Sequence, residues 1–224
     1  SVCISYTSAP FIQEEFKDLL LLHCENGIFS RYPYPRSWYF DVFGMYKNAY
    51  QSKFANEFKK LTNYNDNFLD QIRKYYIEDI IKSNTKIANI DTYKNQFDYL
   101  VLLPLQFNNH EMFDSACNYS SQLEYACSIL DSIDPNIGVI LTHHAQDEVL
   151  NNYEIREYLQ FKYKNVIIDH DIYSTSHASQ IVIGHVDAVI TVSSTLGYQA
   201  VLNKKPLFTV GDSQFNILGV DESL

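Results

Sequence analysis

Several familiar signatures are missing from this sequence. None of GxGxxG, the Walker A motif, GxSxG or HExxH occurs in its 224 residues. Dinucleotide oxidoreductases, P-loop NTPases and α/β-hydrolases are disfavoured by that absence. Basic residues are scarce: 17 Lys and Arg stand against 27 Asp and Glu, for a net charge of −10. That balance argues against nucleic acid or an anionic membrane as the main partner. Cysteine is limited to Cys3, Cys24, Cys117 and Cys127, with no CxxC pair and no Cys/His metal spacing. These read as reduced, mostly buried thiols of a cytoplasmic protein. No apolar run approaches a transmembrane helix in length. The opening SVCISYT has neither a basic n-region nor an initiator Met. No signal peptide is expected there, and the chain is expected to start inside a longer protein or after removal of its first residues.

What is present is a sizeable apolar fraction, 46%, and 18 tyrosines. The length allows one large domain or a domain and a half. Residues 1–96 are expected to form an N-terminal part that is mostly helical. Residues 2–6 are a strand candidate. Residues 11–20, 52–61 and 67–83 read as helices, the last with Phe68, Ile72, Tyr75, Tyr76 and Ile80 at helical spacing. Residues 31–40, RYPYPRSWYF, hold two prolines and four aromatic rings. They are expected to form an ordered aromatic loop packed on its own rings, with contact to a sugar through Arg31 and Arg36 as the alternative.

From residue 97 the pattern changes. Short apolar strands at residues 99–105, 137–141, 165–168, 188–192 and 206–210 alternate with helices at 120–133, 148–161 and 196–202. The expected fold class is α/β, a Rossmann-like parallel sheet over residues 97–224. Ligands in such sheets gather beyond the carboxyl ends of the strands. That rule selects residues 106–114, 142–147, 169–173 and 193–195.

The most informative stretch is residues 181–210. A buried strand ends in Ser193, Ser194 and Thr195, which open a helix closed by Asn203-Lys204-Lys205 and Pro206. Hydroxyls at a helix N-terminus suit a phosphate. They equally suit simple helix capping, and the stretch alone leaves both readings open. His143 and His144 follow a strand, so one of them is expected in the site and the other elsewhere, because adjacent extended residues point in opposite directions. A metal held by His110, Asp169 and His170 matches no ligand spacing, and no metal is expected.

The segment VDAVITVSSTLGYQAVLNKKPLFTVG resembles a characteristic stretch of the capsule polysaccharide biosynthesis proteins, a family that includes Kdo transferases of GT-B-like architecture. Other segments follow the family's order: Glu25-Asn26-Gly27-Ile28-Phe29, Asp41 with Gly44, IIKSNTK at 80–86, LLPLQ ending in Gln106, ILTHHA around His144, and FNILGVD at 215–221. Some positions depart from the pattern. Thr142 and Ala145 replace the lysine and proline around the histidine, Gln199 replaces a glutamate, and Asn109 or His110 falls where the family has an acid.

The resemblance implies a glycosyltransferase moving a sugar from an activated nucleotide donor, CMP-Kdo or similar, to a surface-glycan or glycolipid acceptor. It implies no cofactor, the nucleotide-sugar being a co-substrate, and no metal. Gln106, His144, Ser193, Ser194, Thr195 and Gln199 would bind the donor. Glu25, His110 and Glu111 would be the catalytic candidates, with Asp114 near at hand. Residues 97–224 would be the nucleotide-sugar domain and residues 1–96 a remnant of the acceptor domain. Peripheral membrane association would be compatible with a glycolipid acceptor. The alternatives are a non-catalytic or degenerate nucleotide- or carbohydrate-binding module, and a polyol-phosphate transferase.

Overall fold

The computed structural model describes residues 1–6, 9–27, 32, 35–61, 66–75, 78 and 90–220. Its centre is a five-stranded sheet of β4 (Tyr99–Pro104), β5 (Ile137–Thr142), β6 (Val166–Ile167), β7 (Ala188–Thr191) and β8 (Leu207–Thr209). The order is β6-β5-β4-β7-β8, and every pairing is parallel. The α/β class with a Rossmann-like parallel sheet therefore stands. Its strands are near-continuous apolar runs because both faces are covered. Along β4, Leu100 and Leu102 pack on one side with Ile140, Val189 and Leu207, while Val101 and Leu103 pack on the other with Leu141 and Ile190. Helices Gln122–Ser132 and Tyr153–Lys162 close the second side, and Ala178–Val182 and Leu196–Leu202 the first.

The strand order reverses at β4 and β7. Chain growth runs from β4 through β5 to β6 on one side, and from β7 to β8 on the other. The crevice at that reversal is where a ligand is expected in an open α/β sheet.

The N-terminal part carries more strand than the sequence predicts. β1 (Val2–Ser5), β2 (Leu20–Asn26) and β3 (Trp38–Asp41) form a separate sheet, β1 parallel and β3 antiparallel to β2. The predicted helix at 11–20 is shorter, Pro10–Glu15, because Leu20 already pairs with Val2. The aromatic stretch is also corrected. Its second half is β3, and Trp38 and Phe40 point outward, each 55% exposed. β-Branched and aromatic side chains fit a half-exposed strand as well as they fit a loop. Arg31, Pro33, Tyr34, Tyr76, residues 80–86, most of the turn at 63–67 and Asp221 lie outside the described residues.

Helices Tyr50–Lys53, Ala55–Lys59 and Asp66–Arg73 follow the small sheet. They meet the late part of the chain through polar contacts. Gln51 donates to the Tyr198 hydroxyl and Arg73 to the Leu202 carbonyl, while Lys47, in the turn before these helices, donates to the Ser115 carbonyl at 2.8 Å. The four cysteines are free, and only Cys24 is buried. Among the described residues no helix is long and apolar enough to cross a membrane.

Candidate functional site at the sheet reversal

Gln106, just past β4, and Ser193, just past β7, join across the reversal. Gln106 Nε2 donates to Ser193 Oγ at 3.0 Å, and the Ser193 backbone N–H donates to Gln106 Oε1 at 3.0 Å. The Ser193 hydroxyl in turn donates to the Met112 carbonyl. Ser193 has no exposed surface, and Gln106 keeps only 6%. A buried hydroxyl with both partners in place is fully satisfied, so Ser193 holds the crevice wall together.

Ser194 differs. It is half-buried, and its Oγ accepts the Leu196 N–H at 3.3 Å, capping the helix Leu196–Leu202. Its own N–H donates to Thr191 Oγ1 at 3.3 Å. Thr195 makes no side-chain cap and is 9% exposed. Gln199 lies inside the same helix, 2% exposed, and its Nε2 is buried without a hydrogen-bond partner. That orphaned donor is expensive to leave unmade in a dry site.

The two adjacent histidines go different ways. His143 Nδ1 accepts the Leu150 N–H at 3.2 Å, and the ring meets the Tyr173 edge at 5.4 Å. Burial lowers its pKa from the ordinary value, so it is neutral at pH 7. His144 turns toward the crevice loop, with its ring 4.7 Å from that of Phe107. Phe107 also lies 4.1 Å from the His110 ring. One phenyl ring is thus in contact with two imidazoles at the ends of neighbouring strands.

A chain of polar contacts sets this loop. Gln122, wholly buried, accepts the Gln106 N–H on Oε1 at 2.8 Å and donates its backbone N–H to Asn108 Oδ1 at 2.8 Å. Asn108 donates twice to Asp147 Oδ2, at 2.8 Å from its backbone and 2.6 Å from its side chain. Asp147 bridges back to His144. Asn109 has a φ of 55°, the left-handed region that asparagine tolerates. His110 then caps the short helix Glu111–Asp114, its Nδ1 accepting the Met112 N–H at 3.2 Å. That bond leaves any ring proton on Nε2. Glu111 and Asp114 are exposed.

Glu25 sits one residue from the end of β2 and is 6% exposed. Its Oε1 accepts from the Asn26 N–H at 2.7 Å, Asn26 Nδ2 at 3.1 Å and the Tyr6 hydroxyl at 3.2 Å. Its Oε2 accepts from the Tyr46 hydroxyl at 3.3 Å. Burial pushes the Tyr46 phenol well above its usual range, Glu25 adds to the push, and Glu111 adds a smaller one. Of these two acids only Glu25 bonds the hydroxyl, and Glu111 bears on it through its charge alone. Tyr46 is held at φ 56°. A bulky residue in that region is strained, and such strain is typical of functional sites.

Tyr46 and Gln122 escape the sequence reading, whereas Phe107, Asn108 and Asp147 lie within the strand-end stretches it selects but are not singled out there. Phe107 was within reach, since it directly follows Gln106. Tyr46 carried no signal beyond the nearby Gly44. Among the described residues no three His, Cys, Asp or Glu side chains gather closely enough to hold a metal ion.

An open parallel sheet with bonded polar side chains at its reversal belongs to the Rossmann-like α/β proteins. The chain belongs to the capsule polysaccharide biosynthesis protein family, whose sequence profile matches residues 31–223. Its fold is similar to that of Thermosulfurimonas dismutans KpsC, beta Kdo 2,7 transferase, at 17% identity and a TM-score of 0.59, over 96% of this chain and 65% of that one. A second similar structure is Thermosulfurimonas dismutans KpsC, beta Kdo 2,4 transferase, at 17% identity and a TM-score of 0.50, over 96% of this chain and 70% of that one. The chain thus spans 65% of the length of the first of these structures. No curated protein matches the sequence.

Proposed function

We propose that the chain is a glycosyltransferase of the GT-B type, or the nucleotide-sugar half of one, acting in capsule polysaccharide synthesis. It transfers a sugar from an activated nucleotide donor, CMP-Kdo or a similar compound, to a surface-glycan or glycolipid acceptor. The observation that carries the reading is the Gln106–Ser193 pair that joins the ends of β4 and β7 at the sheet reversal, with the Ser194 hydroxyl on the first N–H of the helix beside it. The family and the likeness to two Kdo transferases support the same reading.

In this reading Ser194, Thr195 and His144 hold the donor phosphate, and the positive helix end adds to their pull. Gln199 meets the ribose with its unpartnered amide. Gln106 and Ser193 keep the crevice in shape. Glu25 takes the proton from the acceptor hydroxyl, as a positioned carboxylate can. Glu111, whose charge also bears on Tyr46, is the second acid of this reading. No metal or cofactor takes part, and the four free thiols fit a reducing cytoplasm.

Titration of the purified protein with CMP, CDP and UDP, followed by a donor-turnover assay, tests this. Binding of one nucleotide with sugar transfer, both lost in His144→Ala, is the expected result. Failure of all three nucleotides to bind would overturn it. A specific observation favours a second reading, a non-catalytic binding module. Asn109 and His110 offer no carboxylate where the family has one, and His110 Nδ1 is committed to the Met112 N–H. Binding without transfer or donor hydrolysis would select that reading.

A further inference from the structure

A cavity of about 180 Å³ lies where the N-terminal part meets the helix Leu196–Leu202. It is lined by Tyr39, Asp41, Tyr50, Gln51, Phe58 and Tyr198. Tyr39 stands directly opposite Glu25 in the β2–β3 pairing. Directly opposed residues of an antiparallel pair project to the same face. The cavity is therefore beside Glu25, although the phosphate-binding candidates are on other strands.

Its chemistry is mixed in a particular way. Four of the six lining residues are aromatic. Gln51 reaches across to the Tyr198 hydroxyl. The Tyr39 hydroxyl is buried and has no hydrogen-bond partner. Asp41 fixes the wall by accepting the backbone N–H groups of Phe43 at 2.7 Å, Gly44 at 3.3 Å and Tyr50 at 2.6 Å. Aromatic rings with a few fixed polar groups suit a ligand with apolar faces and polar edges. A sugar ring has that character. The size points to a single ring, since sites for drug-sized ligands occupy roughly 300–1,000 Å³. The Asp41 and Glu25 carboxylates are unfavourable to an anion, and none of the six lining residues is a cation.

We propose that this cavity is an acceptor subsite that takes one uncharged sugar ring. Its role as an acceptor site rests on the transferase reading. Its ability to bind a sugar does not. The test is saturation-transfer NMR on the intact chain with the methyl glycosides of glucose, galactose, mannose and N-acetylglucosamine, and with methyl glucuronide as the anionic comparison. Each is measured with and without CMP. At least one neutral glycoside should bind saturably and at least fivefold more tightly than the glucuronide. Tyr50→Ala and Gln51→Leu should each weaken it fivefold or more, in variants that still melt cooperatively. Absence of neutral-glycoside binding, or unchanged binding in both folded variants, would overturn the proposal. If CMP, CDP and UDP all fail to bind while the glycoside results hold, the donor reading falls and the sugar site stands.

Discussion

Gln106 and Ser193 are 87 positions apart in sequence and exchange two hydrogen bonds of 3.0 Å each. They tie the ends of β4 and β7 at the one point where the sheet changes direction. Ser193→Ala removes an acceptor for Gln106 Nε2 and a donor to the Met112 carbonyl at a fully buried position. The expected cost is about 1–3 kcal/mol of stability, the scale of stranding a buried polar partner. Chemical denaturation of wild type and variant measures it.

Ser194 should behave differently. Its Oγ accepts only a helix N–H, at 3.3 Å, and it is the more accessible of the two serines. Ser194→Ala is expected to cost about 1 kcal/mol in stability through the lost cap. It should also weaken nucleotide binding by about 1–2 kcal/mol, as loss of a hydrogen bond to a charged group does. Calorimetric titration reads the second effect. Unchanged affinity would show that the serine only caps the helix.

Glu25→Gln keeps the shape of the side chain but removes the charge that Tyr6, Asn26 and Tyr46 surround. Sugar transfer should fall by about 10²–10⁴-fold, the range for a lost general base. Nucleotide affinity should stay within about twofold, because the donor groups are on other strands. A matching loss of nucleotide binding would show that Glu25 is structural.

His143 predicts a pH dependence whose sign follows from its lowered pKa. The unfolded chain takes up a proton near 6.5, the ordinary value for histidine, and the folded ring resists it. Stability contributed by the neutral ring is present above that pH and lost as pH falls through it toward the folded midpoint. Melting temperature between pH 8 and pH 5 should therefore drop more for wild type than for His143→Asn. An NMR titration should place the His143 midpoint below that of an unfolded histidine.

Gly211 stands at φ +104°, and a Cβ built there would lie 2.2 Å from the Ala116 carbonyl oxygen. The same carbonyl accepts the Asp212 N–H. Gly211→Ala meets both a forbidden backbone conformation and a collision with backbone, so a loss well above about 1 kcal/mol is expected. Thermal unfolding checks it, and a melting temperature equal to wild type would refute the close approach.

Residues 97–224 were legible because buried parallel strands are short apolar runs and their helices carry an apolar stripe. Capping residues and Pro206 marked the boundaries of Leu196–Leu202 without any tertiary information. The small N-terminal sheet was not legible. Trp38–Asp41 expose two rings to solvent, and their pattern fits a loop until a neighbouring strand supplies the hydrogen bonds.

The sequence by itself determined the α/β class, the parallel sheet and the strand ends where polar side chains collect, since these depend on periodicity and local capping. It also led to the expectation that His143 and His144 have different surroundings, and their ring neighbours do differ, Tyr173 for one and Phe107 for the other. Only the tertiary structure decided that Ser193 is spent on Gln106 and Met112, that Phe107 meets two imidazoles, and that the Tyr46 hydroxyl binds Glu25. Apart from Phe107 with His110, those pairings join residues 21 to 87 positions apart. Which distant groups meet is set by strand order and by how the core packs, and neither is written in any single stretch of chain.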